Sequence, residues 1–122
     1  MRIIKRKLLY LHREINDMIV TFEEKYLQEL YETGKTKSKK HRFQPEIVRK
    51  YKHCITLMRR VPDTNSLSKY KGLNFENLQG DKAGISSIRI NKQYRIEFTV
   101  TNNGIDPIVT ICNILELSNH YK

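Results

Sequence analysis

Residues 35–53 carry Lys35, Lys37, Lys39, Lys40, Arg42, Arg49, Lys50 and Lys52 against one acid, Glu46. Cations at this density, interleaved with Phe43 and Tyr51, suit a phosphate backbone, and binding of that kind weakens steeply with salt. A solvated face has the same composition, and an acidic protein segment could cover it equally. The chain has 4 histidines. His12, His41 and His53 sit among basic residues and read as RNA contacts or solvated surface. His120 stands beside Tyr121 near the C-terminus. Imidazole serves as acid or base near neutral pH, and a phenol can stack on a base or donate a proton. Displacement at a phosphodiester without a metal has matching needs: a base for the nucleophile's proton, cations for the phosphorane, an acid for the leaving oxygen. A binding-only protein needs the cations but no titrating pair. No His, Cys, Asp or Glu spacing suggests a metal ligand set, and no cofactor is expected.

The 122 residues suit one domain with one modest core. Charged residues make up 30% and hydrophobic residues 39%, an ordinary folded composition. The net charge of +10 points to an anionic partner. Cys54 and Cys112 are isolated in apolar surroundings and read as buried thiols of a reducing cytosol. No run approaches the ~18 apolar residues of a membrane span. His12, Arg13 and Glu14 interrupt the opening apolar stretch, and no small-residue cleavage site follows. A cytoplasmic protein without membrane contact is the expectation.

These residues need elements to hold them. Ile4, Leu8, Leu11 and Ile15 have helical spacing. Residues 1–17 therefore read either as an amphipathic helix or as an appendage, because Met18 opens a segment resembling a protein start. The domain itself is expected over 18–122. Ile19 to Phe22 is a short β-type run, and Thr21 to Glu24 has a capping-box pattern. Leu27, Leu30 and Tyr31 mark a helix that Gly34 ends. Pro45 opens a second helix, buried at Ile47, Tyr51, Cys54, Met58 and Val61, and Pro62 closes it. From Leu73 the period is two. Leu73 to Leu78 alternates, Gly80 to Gly84 is a turn, and strands follow over Ile85–Asn91, Tyr94–Val100 and Ile108–Leu117. Thr101 to Gly104 is a hairpin turn between the last two. The last strand is apolar on both faces at Ile108-Val109 and Ile114-Leu115, so it runs through the sheet interior. The order β-α-α-β-β-β-β predicts an α+β fold, with helices on one face of a small, all-antiparallel sheet. The other face is open and presents Arg95, Glu97 and Arg89.

The stretch from Gly80-Asp81-Lys82 through Ile85, Ser87-Ile88 and Asn91 to Tyr94-Arg95-Ile96 and Phe98 resembles a signature of HigB-like toxins, of the RelE/ParE group. Those share Gly-Asp-basic-x-Gly-x-Trp-Ser-Ile-x-Val-Asn-x-x-Trp-Arg-Ile-x-Phe. The opening from Met18 to Gly34 is similar to their first strand, helix and glycine stop. The likeness runs in order from residue 18 to about 115. It implies a RelE/ParE-like α+β toxin that enters the ribosomal decoding site and cleaves messenger RNA. It also implies a cognate helix-turn-helix antitoxin (HigA-like) that masks the toxin and meets operator DNA, so that the toxin reaches DNA only through that complex.

The resemblance also implies a site. The family's arginine in its Trp-Arg-Ile stretch matches Arg95, the first choice for the phosphate, with Arg89 and Lys82 as neighbours. The family's lysine before Gly-Asp is Gln79 here. Its C-terminal Asp-Tyr-His falls near Asn113, Ile114 and Leu115, and Tyr94 stands where it has Trp. His120 and Tyr121 offer similar chemistry a few residues later and are the acid–base candidates. The alternative for Arg95 is an ion pair with Glu97 or Asp106. Lys35, Lys37, Lys39, Lys40, Arg42, Arg49 and Lys52 are the candidate RNA contacts. Two other readings stay open: a ParE-like inhibitor of DNA gyrase, and a non-catalytic nucleic-acid-binding module.

Overall fold

The computed structural model describes residues 17–119. The helix expected over 4–16, and His120 and Tyr121, lie outside the described residues. Strand β1 is Ile19–Phe22, helix α1 Lys25–Thr33, helix α2 Pro45–Met58 and the short helix α3 Thr64–Leu67. Strands β2 (Glu76–Asn77), β3 (Ser86–Arg89), β4 (Arg95–Asn102) and β5 (Thr110–Ser118) follow. They form one five-stranded sheet in the order β1-β5-β4-β3-β2. The α+β class and the antiparallel run β2 to β5 are as expected. An all-antiparallel sheet is not, because β1 pairs parallel to β5. No hairpin links these two strands, so turn geometry does not dictate their sense. The interior place of β5 is as the sequence suggests: β4 takes one edge and β1 the other.

Helix α1 buries Tyr26, Leu27 and Leu30, and helix α2 buries Ile47, Val48, Tyr51, Cys54, Ile55 and Met58. These residues share one core with Ile88, Ile96, Phe98, Cys112, Ile114 and Leu117 of the sheet. Gly34 ends α1 at φ 79°, its N–H reaching Leu30 O at 3.0 Å. Pro45 occupies the first turn of α2, where its missing N–H costs nothing. The Tyr51 hydroxyl, buried between the helices, donates to Leu27 O at 2.8 Å. Both thiols are free and buried. Burial pushes Cys54 up to about 11 and Cys112 to about 12.

Three local expectations change. Thr21 does not cap α1: it lies in β1 and donates to Asn113 Oδ1 at 2.7 Å, while Glu24 stands at the N-cap without a side-chain bond. The alternating run from Leu73 yields only the two-residue β2, preceded by a 3-10 turn at Lys71–Leu73. The hairpin joining β4 and β5 is longer than Thr101–Gly104. Asn103 folds it, accepting from Val109 N at 2.9 Å and donating to Pro107 O at 3.3 Å. Ile108 is therefore an exposed loop residue, not a strand residue.

Candidate functional site

Strand register decides which polar side chains meet. Ser87 stands opposite Glu97, which stands opposite Glu116, and Arg89 faces Arg95, which faces Ser118. Glu76 pairs with Ser87 on the far side. All seven lie on the sheet face that turns away from the apolar core, because Ile88, Ile96 and Leu117 alternate with them. The sequence places Arg95, Glu97 and Arg89 on this face correctly. It misjudges the face as open: Arg95 is 8% exposed and Glu97 2%, whereas Arg89 is exposed.

Neighbouring segments bring charged side chains onto this face. The turn at Gly80–Lys82 sends Lys82 back across the sheet, and its Nζ lies 2.8 Å from Glu97 Oε2. Gly84 completes this turn at φ 93°, a left-handed conformation that a side chain would strain. From β2, Glu76 Oε1 comes to 3.6 Å from Arg95 Nη1. Glu76 is thus an ion-pair neighbour of Arg95 that the sequence reading did not name. Asp106 sits in the distant hairpin loop. Gln79, at the family's lysine position, is exposed and turns its amide to Asn77 O at 3.4 Å. Ser87 Oγ is fully buried and has no hydrogen-bond partner among the described residues.

Two cations and two carboxylates are therefore brought together: Arg95 and Lys82 with Glu76 and Glu97. Glu76 was not singled out from the sequence. The alternation Leu73-Asn74-Phe75-Glu76 carries the signal, since half-buried Leu73 and Phe75 leave Glu76 on the opposite face. Among the described residues no group of His, Cys, Asp and Glu could hold a metal ion.

The basic segment is held more firmly than a solvated loop. Glu29 accepts from Thr36 Oγ1 at 2.7 Å. This bond, chief among the causes, holds the Glu29 carboxyl below its usual range. His41 is half-buried, stacked flat on Tyr26 with ring centroids 3.6 Å apart, its Nδ1 2.7 Å from Ser38 Oγ. It packs the loop, a role not expected of it. Burial pushes the Tyr26 phenol up to about 12. Phe43 meets Tyr94 edge-on at 5.8 Å, which ties the end of the loop to the start of β4, next to Arg95. A cleft of about 320 Å³ opens between Gly34, Lys35, His41 and Arg42. Lys35, Lys37, Lys39, Lys40, Arg42 and Arg49 are exposed, and Lys52 is half-buried against the end of α1. No helix of the described residues is long and apolar enough to cross a membrane.

Residues 20–109 match the family described as the RelE-like toxin HigB of type II toxin–antitoxin systems. Toxin HigB-1 of Vibrio cholerae serotype O1 is 30% identical over 96 residues, which cover 74% of this chain and 97% of that protein. Among solved structures, a YoeB/ParE toxin from Agrobacterium tumefaciens superposes with a TM-score of 0.50 at 18% identity, over 85% of this chain and 100% of that one. The heterotetrameric YoeB–YefM toxin–antitoxin complex from Staphylococcus aureus gives 0.45 at 19% identity, over 85% and 98%. The family match spans the α helices, the Gly80–Gly84 turn and the Arg95 strand alike. The chain belongs to the HigB-like toxins, RelE-like toxins of type II toxin–antitoxin systems.

Proposed function

We propose that this toxin is an endoribonuclease that cuts messenger RNA on the ribosome through attack of the ribose 2′-OH, without a metal. One observation carries the reading: Arg95 and Lys82 share a sheet face with the carboxylate of Glu76, which is 45% exposed at 3.6 Å from the Arg95 guanidinium. In the reaction Glu76 takes the 2′ proton as the oxygen attacks the adjacent phosphorus. Arg95, a fork with fixed charge, and Lys82 neutralise the phosphorane. The 5′ oxygen leaves with a proton from His120 or Tyr121, giving a 2′,3′-cyclic phosphate and a 5′-OH end. Ser118 is the register partner of Arg95, and His120 follows it by two residues in the chain. Arg89, exposed at the end of β3, steers the strand in. Lys35, Lys37, Lys39, Lys40, Arg42, Arg49 and Lys52 contact RNA phosphates. Residues 18–122 act as the toxin domain and 1–17 as its extension. The proposed partners are the ribosome with its messenger RNA, in the cytoplasm, and a HigA-like helix-turn-helix antitoxin through which alone operator DNA is met.

The test is 5′-end mapping of messenger RNA in a translating bacterial extract, with wild type, Arg95→Ala, Glu76→Gln and His120→Ala. New ends at codon-linked positions, lost when the ribosomal A site is blocked and lost in Arg95→Ala, are expected. Intact RNA in every lane, from a protein still toxic when expressed, overturns the nuclease and leaves inhibition of gyrase or plain nucleic-acid binding.

A further inference from the structure

The exposed side of α2 carries a second array of cations. At 100° per residue, Arg49, Lys52, His53 and Thr56 fall within about 100° of the helix circumference, and Arg59, the C-cap, and Arg60 follow in the closing turn. None of these positions is acidic or apolar. The neighbouring acid, Glu46, is engaged with Lys50 at 3.5 Å. Among the described residues no carboxylate lies within ion-pair distance of Arg49, Lys52, Arg59 or Arg60.

The array is built rather than merely solvated. Arg59 Nη1 donates to the Tyr31 hydroxyl at 3.1 Å, and its guanidinium carbon sits 5.8 Å from the Tyr31 ring centre. Phe22 stacks behind that ring at 5.9 Å. Burial would raise the Tyr31 phenol, but bonds from Thr56 and Arg59 and the charges of Arg59 and Arg60 outweigh it and hold the group below its usual value. Lys52 lies against the end of α1, which links the array to the basic loop that starts at Lys35. Favourable placement of Arg59 and Arg60 near the negative end of the helix accounts for the last turn only. It leaves Lys52 and Arg49, about two and three turns before Arg59, unexplained.

Location gives the array its meaning. The buried side of α2 packs on the core face of the sheet, whereas Arg95, Lys82 and Glu76 lie on the other face. A strand bound for cleavage at Arg95 does not occupy the outer side of α2. We propose that α2, with Tyr31, is a separate docking surface for the phosphate backbone of a helical RNA segment. The inference rests on the RNA-cleaving reading for its biological sense but on the α2 residues for its content. Arg49 and Lys52 lie one turn apart and Arg59 and Arg60 about two turns further on, past Thr56, a spread that reaches several phosphates. A protein partner would need an apolar centre, which this surface lacks, whereas backbone binding needs cations alone.

The test is fluorescence anisotropy with a blunt RNA duplex over a salt series, using wild type, Lys52→Gln/Arg60→Gln, Arg59→Gln and Arg95→Ala. The side chains of Lys52 and Arg60 make no hydrogen bond among the described residues, so their double variant is expected to fold, which circular dichroism checks. It is expected to bind the duplex about tenfold more weakly, with the salt slope reduced by about two, one per lost phosphate contact. Arg95→Ala is expected to keep full duplex binding, whether or not it has lost cleavage. Failure of the nuclease reading is thereby told apart from failure of this one. Unchanged affinity and slope in the double variant overturn the proposal. So does an equal loss in Arg95→Ala, which would make the two surfaces one. Loss of binding to poly-glutamate with intact duplex binding overturns it too, and assigns the surface to an acidic protein.

Discussion

At the scale of the residue, the decisive fact is that the cations of the site are not free-standing. Arg95 is nearly buried beside Glu76, and Lys82 is hydrogen-bonded to a carboxylate that is 2% exposed. Charge and geometry are thus both prescribed, and the two act differently under substitution. Arg95→Lys keeps the charge and loses the planar fork. Its cleavage rate in the end-mapping assay is expected to fall close to that of Arg95→Ala, with its ribosome binding retained. Recovery of wild-type rate in Arg95→Lys would reduce Arg95 to a point charge. Lys82→Ala removes a partner of the buried Glu97 carboxylate and is expected to cost about 1–3 kcal/mol of stability, read from urea denaturation. Arg95 was legible from the sequence because its motif is local. Glu76 was not: the pairing that brings it to Arg95 runs through β3, across 19 residues of chain.

At the scale of the element, caps and turns carry information that periodicity does not. Gly34 stands at φ 79° with only Lys52 Nζ near the position of an added Cβ, at 3.8 Å. Gly34→Ala therefore meets no clash but adopts a left-handed backbone, and a loss of about 1–2 kcal/mol is expected in thermal or urea unfolding. The basic loop, hung between Gly34 and Pro45, should keep the RNA contacts proposed for it in that variant. Asp63 caps α3, accepting from Ser66 N at 2.8 Å, and that backbone bond above all holds its carboxyl below the usual range. A carboxylate lowered on folding stabilises above its unfolded pKa and loses that contribution as pH falls through its folded value. The stability gap between wild type and Asp63→Ala is expected to be full, about 1 kcal/mol, at neutral pH. It should narrow in acid below the ordinary aspartate range. A gap that widens in acid would contradict the capping role. The helices and the two caps with glycine and proline were readable because one-residue signals set them. Thr21 misled, since its hydroxyl had a cross-strand acceptor, Asn113, that only the β1–β5 pairing supplies.

At the scale of the whole molecule, a single core separates two polar surfaces. Leu27, Ile55, Ile88, Ile96 and Phe98 are fully buried at its centre and join the helices to the sheet. Ile96→Ala is expected to cost about 2–5 kcal/mol. It should reduce cleavage and duplex binding together, because it loosens the scaffold common to both surfaces. A variant that lost only one of the two would show that they do not share this scaffold. The chain by itself determined the α+β class, the buried stripes of α1 and α2, the interior position of β5 and the family. Each follows from local period, turn chemistry or an ordered motif, and these act between residues close in sequence. Only the tertiary structure decided that β1 runs parallel to β5, that Arg95 and Glu97 are covered, that Glu76 comes within ion-pair distance of Arg95, and that the cations of α2 lie on the side away from them. Those outcomes depend on strand register and on which side of the sheet the helices pack. Both are settled by long-range packing of the core, which no local spacing encodes.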